Sequence, residues 1–210
     1  YALGGITGYM VDMLNDGCFR AIQDVQCFDL EAAASIRDNP NHVEVSASAY
    51  CSPFAKSSSA SNLDITVLGA TEIDLDFNVN IHTDSGGYII GGSGGHSDVA
   101  EEAKLTVITA PLSRKRLTTV KDRVTCISTP GACVDLFVTQ AGIAVNPRRA
   151  DLLACFRTAK LPVVPIAQLK EMSEALNGVA EKPRFTDREV ARVLSRRGEL
   201  LDRIYQVDPG

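Results

Sequence analysis

Short runs of β-branched and apolar residues alternate with helix-patterned segments along most of this chain, and that alternation restricts its architecture more than any other feature. Residues 7–16 carry Met10, Met13 and Leu14 at helical spacing, with Gly17 as a stop. Residues 19–25 alternate loosely and suit a strand. Residues 29–37 read as a short helix, with Asp29 as its N-cap and Pro40 beyond its end. Residues 63–70 (LDITVLGA) are apolar enough to be buried on both faces, as in a parallel sheet. Further β-branched runs follow at 104–110, 124–128 and 134–139, and Ala141-Gly142 marks a tight turn before 143–145. Helical patterns at 147–158 and 166–176 flank a short strand at 162–166. Residues 189–194 and 200–207 read as two strands joined at Arg196-Arg197-Gly198. The Ser- and Ala-rich stretch 46–62 reads as a loop. This order predicts an α/β fold: an open, largely parallel sheet with flanking helices and a C-terminal hairpin.

The 210 residues are enough for one domain, expected over 1–210, with a real core. Lys plus Arg is 21 against 26 Asp plus Glu, a net charge of −5, which argues against nucleic-acid binding because phosphate contacts need a basic face. No run approaches the ~20 apolar residues that span a bilayer, so no membrane partner is expected. Six cysteines without a C-x-x-C pair suggest reduced thiols in a cytoplasmic protein. The first residues, Tyr1-Ala-Leu-Gly-Gly, carry neither a Met nor a secretory segment and suggest a piece of a longer chain.

The sharpest local signal is Gly91-Gly92-Ser93-Gly94-Gly95-His96-Ser97-Asp98, placed before a helix-like stretch at 99–103. Such a loop can aim several backbone N–H groups at one phosphate or developing oxyanion. It reads equally well as a glycine turn with Ser97 or Asp98 as helix caps. It matches neither of the usual nucleotide-binding glycine motifs. His96 and Asp98 lack companions at ligand spacing, so no metal site is expected. A Ser-His-Asp triad lacks the G-x-S-x-G elbow that would present its serine. Residues 72–80 alternate in polarity, which would align Glu72, Asp74, Asp76, Asn78 and Asn80 on one face of an extended segment. That face reads as a solvated edge or as the polar wall of a substrate cleft. Asp24-Val25-Gln26 falls near the end of the 19–25 strand, where ligands collect in parallel α/β sheets. Arg114-Lys115-Arg116, with Lys121 and Arg123, is a basic cluster suited to a solvated loop or to an acidic partner.

Gly4-Gly5-Ile6-Thr7, Phe19 through Gln26, Asn39-Pro40-Asn41-His42, Glu72-Ile73-Asp74 through Asn80, Gly94 through Asp98 and Gly142 through Arg148 together resemble the α subunit of bacterial citrate lyase, in order and across nearly the whole chain. The resemblance covers the C-terminal half of that subunit, leaving an N-terminal lobe outside the sequence. It implies a CoA-transferase-like fold related to the sugar-phosphate isomerases. It also implies a citrate CoA-transferase reaction, in which citrate displaces acetate from an acetylated acyl carrier protein or CoA. The implied partners are the carrier protein, the lyase subunit, the N-terminal lobe and citrate. The carrier's dephospho-CoA-type arm enters as substrate, and no cofactor is bound covalently. On this basis Gly94, Gly95, His96, Gln26 and Asp24 are the expected catalytic residues. Glu72, Asp74, Asn78, Asn80, Gly92, Ser93 and Asp98 are expected to meet substrate or CoA. Broader CoA-transferases place a covalent glutamate just after the strand that corresponds to 19–25, where this chain has Asp24-Val25-Gln26. A Gln amide cannot attack a thioester as a carboxylate can, which implies direct transfer through a mixed anhydride unless Asp24 is the nucleophile. The alternatives are a non-catalytic module that docks the carrier, a related acyl-CoA:carboxylate transferase, or an enzyme for a citrate analogue such as citramalate.

Overall fold

The computed structural model describes residues 1–114, 117–179, 181–208 and 210. Lys115 and Arg116 of the basic cluster lie outside the described residues. Where the sequence reading groups 1–210 together, the contacts separate two compact units, Tyr1–Leu63 and Asp64–Gly210.

The first unit is a parallel sheet in the order β1-β2-β3, formed by β1 (Ala2–Ile6), β2 (Ile22–Cys27) and β3 (His42–Glu44). Helix α1 (Gly8–Asn15) connects the first pair and α2 (Leu30–Asp38) the second. Asp29 caps α2 as expected: its Oδ1 accepts from Ala32 N–H at 2.8 Å, and its Oδ2 from Gly8 N–H at 2.8 Å. Ile6, Leu14, Ile22 and Ala32 form the core beneath. The expected 46–62 loop contains a short helix, α3 (Ala47–Cys51), started by Ser46, whose Oγ accepts from Ala49 N–H. A single 3₁₀ turn follows at Ala60–Asn62.

The second unit holds a mixed four-stranded sheet. Strands β4 (Ile65–Gly69), β7 (Leu105–Thr109) and β11 (Leu136–Thr139) run parallel, and β12 (Gly142–Val145) returns antiparallel. Between β4 and β7 the chain forms β5 (Glu72–Asp74), β6 (Val79–Asn80) and α4 (His96–Glu102). Two short pieces, β8 (Ser113–Arg114) and β9 (Leu117–Thr118), pair with each other, and β10 (Val120–Lys121) lies parallel to β5. Helices α5 (Ala150–Thr158) and α6 (Ile166–Asn177) precede the antiparallel hairpin of β13 (Phe185–Leu194) and β14 (Leu200–Val207). Ile73, Phe77, Ile108, Val120, Phe137 and Leu169 fill the core, each worth about 1.5–3 kcal/mol of apolar burial.

The mixed α/β class, the parallel strands and the C-terminal hairpin follow the sequence pattern. Four local expectations do not hold. Residues 162–166 form no strand and contribute only a single parallel bridge, Val163 to Ile143, before α6 begins at Ile166. Strand β4 is an edge strand, and Ile65 and Val67 on one face are 55% and 63% exposed, so the 63–70 run is not buried on both sides. Residues 124–128 are not a strand, because three of their amides bond to carboxylate side chains: Val124 N–H to Asp74, Thr125 N–H to Glu72 and Ile127 N–H to Asp202. Residues 72–80 are not extended, for the reason given next.

Candidate functional site

Segment 72–80 is a tight hairpin, with Glu72 opposite Asn80 and Ile73 opposite Val79. Its turn puts Phe77 at φ +65°, a left-handed conformation that costs a bulky residue about 1–2 kcal/mol. Asp74 holds the turn. Its Oδ1 accepts from the N–H groups of Asp76 and Asn78, and its Oδ2 from Asn78 Nδ2 and Val124 N–H. Asn78 Oδ1 accepts from Gly131 N–H, and a Cβ at Gly131 would stand 1.9 Å from the Asp76 carbonyl oxygen. Asn80 donates to Glu72 Oε2 and Thr83, and accepts from His82 N–H and Thr83 N–H. Apart from Asp76, which is exposed at the turn, the expected polar wall therefore points into the fold. Asp74 and Asn80 are buried, Asn78 half-buried, and their polar atoms bind neighbouring backbone. Glu72 differs in one respect: its Oε1 is buried and has no hydrogen-bond partner among the described residues.

The glycine loop is organised in the opposite way. Gly91, Gly92 and Gly94 are exposed, while Ser93 and Gly95 are half-buried. Gly94 sits at φ +52°, a conformation that favours glycine, and a Cβ at Gly91, Gly92 or Gly94 would meet nothing within 4 Å. Gly95 takes the N-cap position of α4 without any side-chain cap. The loop ends on His96, which is clamped. Its Nε2–H donates to the Gly69 carbonyl at 2.8 Å, and its Nδ1 accepts from the Thr129 hydroxyl at 2.8 Å. Burial pushes the imidazole below its ordinary value and keeps it neutral. The His96 amide donates to the Ser93 carbonyl. His96 thus anchors the loop with its ring and has no amide to offer an oxyanion. Among the described residues the amides of Gly94 and Gly95 have no hydrogen-bond partner. Asp98, in the first turn of α4, accepts from the Ser97 hydroxyl, and burial raises its carboxyl.

In the first unit, Asp24 is 1% exposed. Its Oδ2 accepts from His42 Nε2–H at 3.2 Å and from the Cys27 thiol at 3.0 Å. That bond and partial burial push the Cys27 thiol up to about 11. His42 Nδ1 meets Ser35 Oγ at 2.9 Å, completing an Asp24-His42-Ser35 chain that is buried throughout. The sequence reading offers Asp24 as a nucleophile, whereas the structure buries it on the same face of β2 as Ile22; past Asp24 the pairing with β1 shifts register between Gly4 and Gly5, and Gln26 is exposed. Sequence reasoning missed His42 and Ser35. The available signal was Ser35 three residues after Ala32 on the buried stripe of α2.

No helix among the described residues is long and apolar enough to cross a membrane. No group of three or more His, Cys, Asp or Glu among them is placed to hold a metal ion.

A family model described as citrate lyase, alpha subunit, matches residues 1–207. The citrate lyase alpha chain of Klebsiella pneumoniae is 49% identical over 207 residues, which are 99% of this chain and 41% of that relative. A solved alpha subunit of citrate lyase from Streptococcus mutans, in complex with citrate, superposes with a TM-score of 0.95 at 44% identity over 99% of this chain and 41% of the other. RipA from Yersinia pestis shares the fold alone, with a TM-score of 0.54 at 14% identity over 84% of this chain and 42% of that one. The chain thus spans about two fifths of the relatives it matches, and it belongs to the citrate lyase alpha-subunit family.

Proposed function

We propose that this chain supplies the glycine-loop part of a citrate CoA-transferase within a CoA-transferase-like fold. The enzyme exchanges acetyl for citryl on the thiol of an acyl carrier protein or CoA, inside a citrate lyase complex. The observation that carries the reading is the pair of open amides at Gly94 and Gly95, held on a loop whose exit is fixed by His96. A thioester is already an activated acyl donor. The remaining work is to hold it beside a carboxylate and to stabilise the oxyanion formed on attack.

A citrate carboxylate oxygen attacks the acetyl thioester carbon. The C–O bond forms, the C–S bond breaks, and a mixed anhydride and a thiolate result. The thiolate then attacks the citryl carbonyl of the anhydride, forming the new thioester and releasing acetate. The Gly94 and Gly95 amides donate to the oxyanion in both steps. Asp24 is buried, and the Gln26 amide cannot form an acyl-enzyme thioester, which favours direct transfer over a covalent step at residues 24–26. Gly92 and Ser93 border the entry to the same loop.

Initial-rate kinetics of acetyl-thioester exchange with citrate, catalysed by this chain joined to the rest of its subunit, test the reading. Intersecting double-reciprocal lines are expected from a ternary complex. Parallel lines, or a thioester trapped by borohydride on residues 24–26, would overturn direct transfer. Loss of carrier docking with exchange intact in free acyl-CoA would favour a docking module instead.

A further inference from the structure

A cavity of about 260 Å³ lies in the second unit between β10, α6 and the segment that leads into β13, and residues 91–98 take no part in its lining. Glu72 and Lys121 both face it. Glu72 is fully buried. Its Oε2 accepts from Thr125 N–H and Asn80 Nδ2, and among the described residues its Oε1 has no hydrogen-bond partner. The Lys121 ammonium stands 3.9 Å from that Oε1, beyond hydrogen-bond reach. Lys170, on the same wall, is already held by Asp122 at 3.2 Å and Glu174 at 2.9 Å. The cavity therefore presents a loose ion pair, Glu72 with Lys121, whose two charges stand side by side without a hydrogen bond between them. Val124, Val179 and Phe185 add apolar wall.

A buried polar atom left unmatched is costly, so a ligand that matches both charges gains from each. The complement is an opposed pair: a cation against Glu72 and an anion against Lys121, a few ångströms apart on one small molecule. A free α-amino acid carries that pair on a single carbon. A hydroxyl would supply one uncharged bond, and a lone carboxylate would lie next to Glu72. One water, at ~30 Å³ in the liquid, would leave most of the volume empty.

We propose that this cavity binds a free α-amino acid with an apolar side chain. The ammonium donates to Glu72 Oε1, the carboxylate accepts from Lys121 Nζ, and the side chain lies against Val124 and Phe185. The site is separate from the acyl-transfer loop and does not depend on it.

Titration calorimetry of the full chain with L-leucine tests this, beside its hydroxy analogue leucic acid and isocaproate, which lacks the donor altogether. Saturable binding of leucine is expected, with leucic acid weaker by about tenfold and isocaproate weaker again. Glu72→Gln is expected to weaken leucine by about tenfold or more, since a charged hydrogen bond becomes neutral. Glu72 also braces Asn80 and Thr125, so a second variant avoids that role. Val179→Trp, at an exposed wall position, is expected to fill the volume and abolish binding while the thermal melt is retained. No saturable heat with leucine (a cavity holding ordered water only), equal affinity for all three compounds, or full binding in Val179→Trp would each overturn the proposal.

Discussion

The hairpin at 72–80 and the loop at 91–98 are the two most polar signals in the second unit, and they use their polarity in opposite ways. The hairpin turns Glu72, Asp74 and Asn78 inward and bonds them to backbone N–H groups at 76, 78, 124, 125 and 131. The loop turns its backbone outward and leaves the amides of Gly94 and Gly95 open. A run of Asp, Glu and Asn therefore says little about ligand contact until its hydrogen bonds are accounted for. A run of glycines, poor in side-chain chemistry, offers more to a substrate, because main-chain donors need no side chain and cost nothing to reorient.

The strongest way to break this contrast is Asp74→Ala. If the hairpin is framework, removing a carboxylate that accepts four bonds strands several buried donors and lowers stability by about 3–5 kcal/mol, seen as a reduced urea midpoint. A near-normal midpoint with lost exchange activity would make it a binding wall after all. Gly95→Val probes the other side. Its backbone (φ −89°, ψ 14°) needs no glycine, so the melt should move little. Crowding the amide should cost about 10²–10³-fold in exchange rate, the usual effect of losing one oxyanion donor. A smaller effect sharpens the contrast through pH. Burial lowers both His96 and His82, and each accepts a hydroxyl proton at Nδ1, from Thr129 and Ser128. Below the unfolded value of ~6.5 the unfolded chain binds the extra protons first. Stability is thus complete above that pH and falls beneath it, by up to about 1.4 kcal/mol per pH unit for each group. Urea melts between neutral and mildly acidic pH check this, and a His96→Gln variant should have the shallower slope.

Much of the fold was legible because periodicity reports burial directly. Helices α5 and α6, the β13–β14 hairpin and the Asp29 cap all follow from spacing and turn residues. The failures share a cause: the deciding partner is far away in sequence. Residues 124–128 have strand composition, but their amides are claimed by Asp74, Glu72 and Asp202. The 72–80 alternation reads as one extended face until Phe77 takes a left-handed φ, which a turn packed on Gly131 enforces. Asp24 and His42, 18 residues apart, become a buried pair only once β3 lies beside β2. The glycine loop is visible in the sequence as the entry to α4, whereas the bonds that hold the His96 ring are not. A histidine following four glycines looks like chemistry, and only its contacts to Gly69 and Thr129 reveal a clamp.

The bend of the C-terminal hairpin is fastened to α4: Arg196 reaches Glu101 at 3.0 Å and also bonds Glu102, while Arg197 adds a second contact to Glu101. The Arg196 side chain is only 5% exposed, so mobile ions hardly reach it, in contrast to an open pair such as Lys104 with Asp64. Ionic strength that dissolves the chain's outer charge pairs leaves this one closed, and the helix that follows the glycine loop stays moored in brine as in dilute buffer.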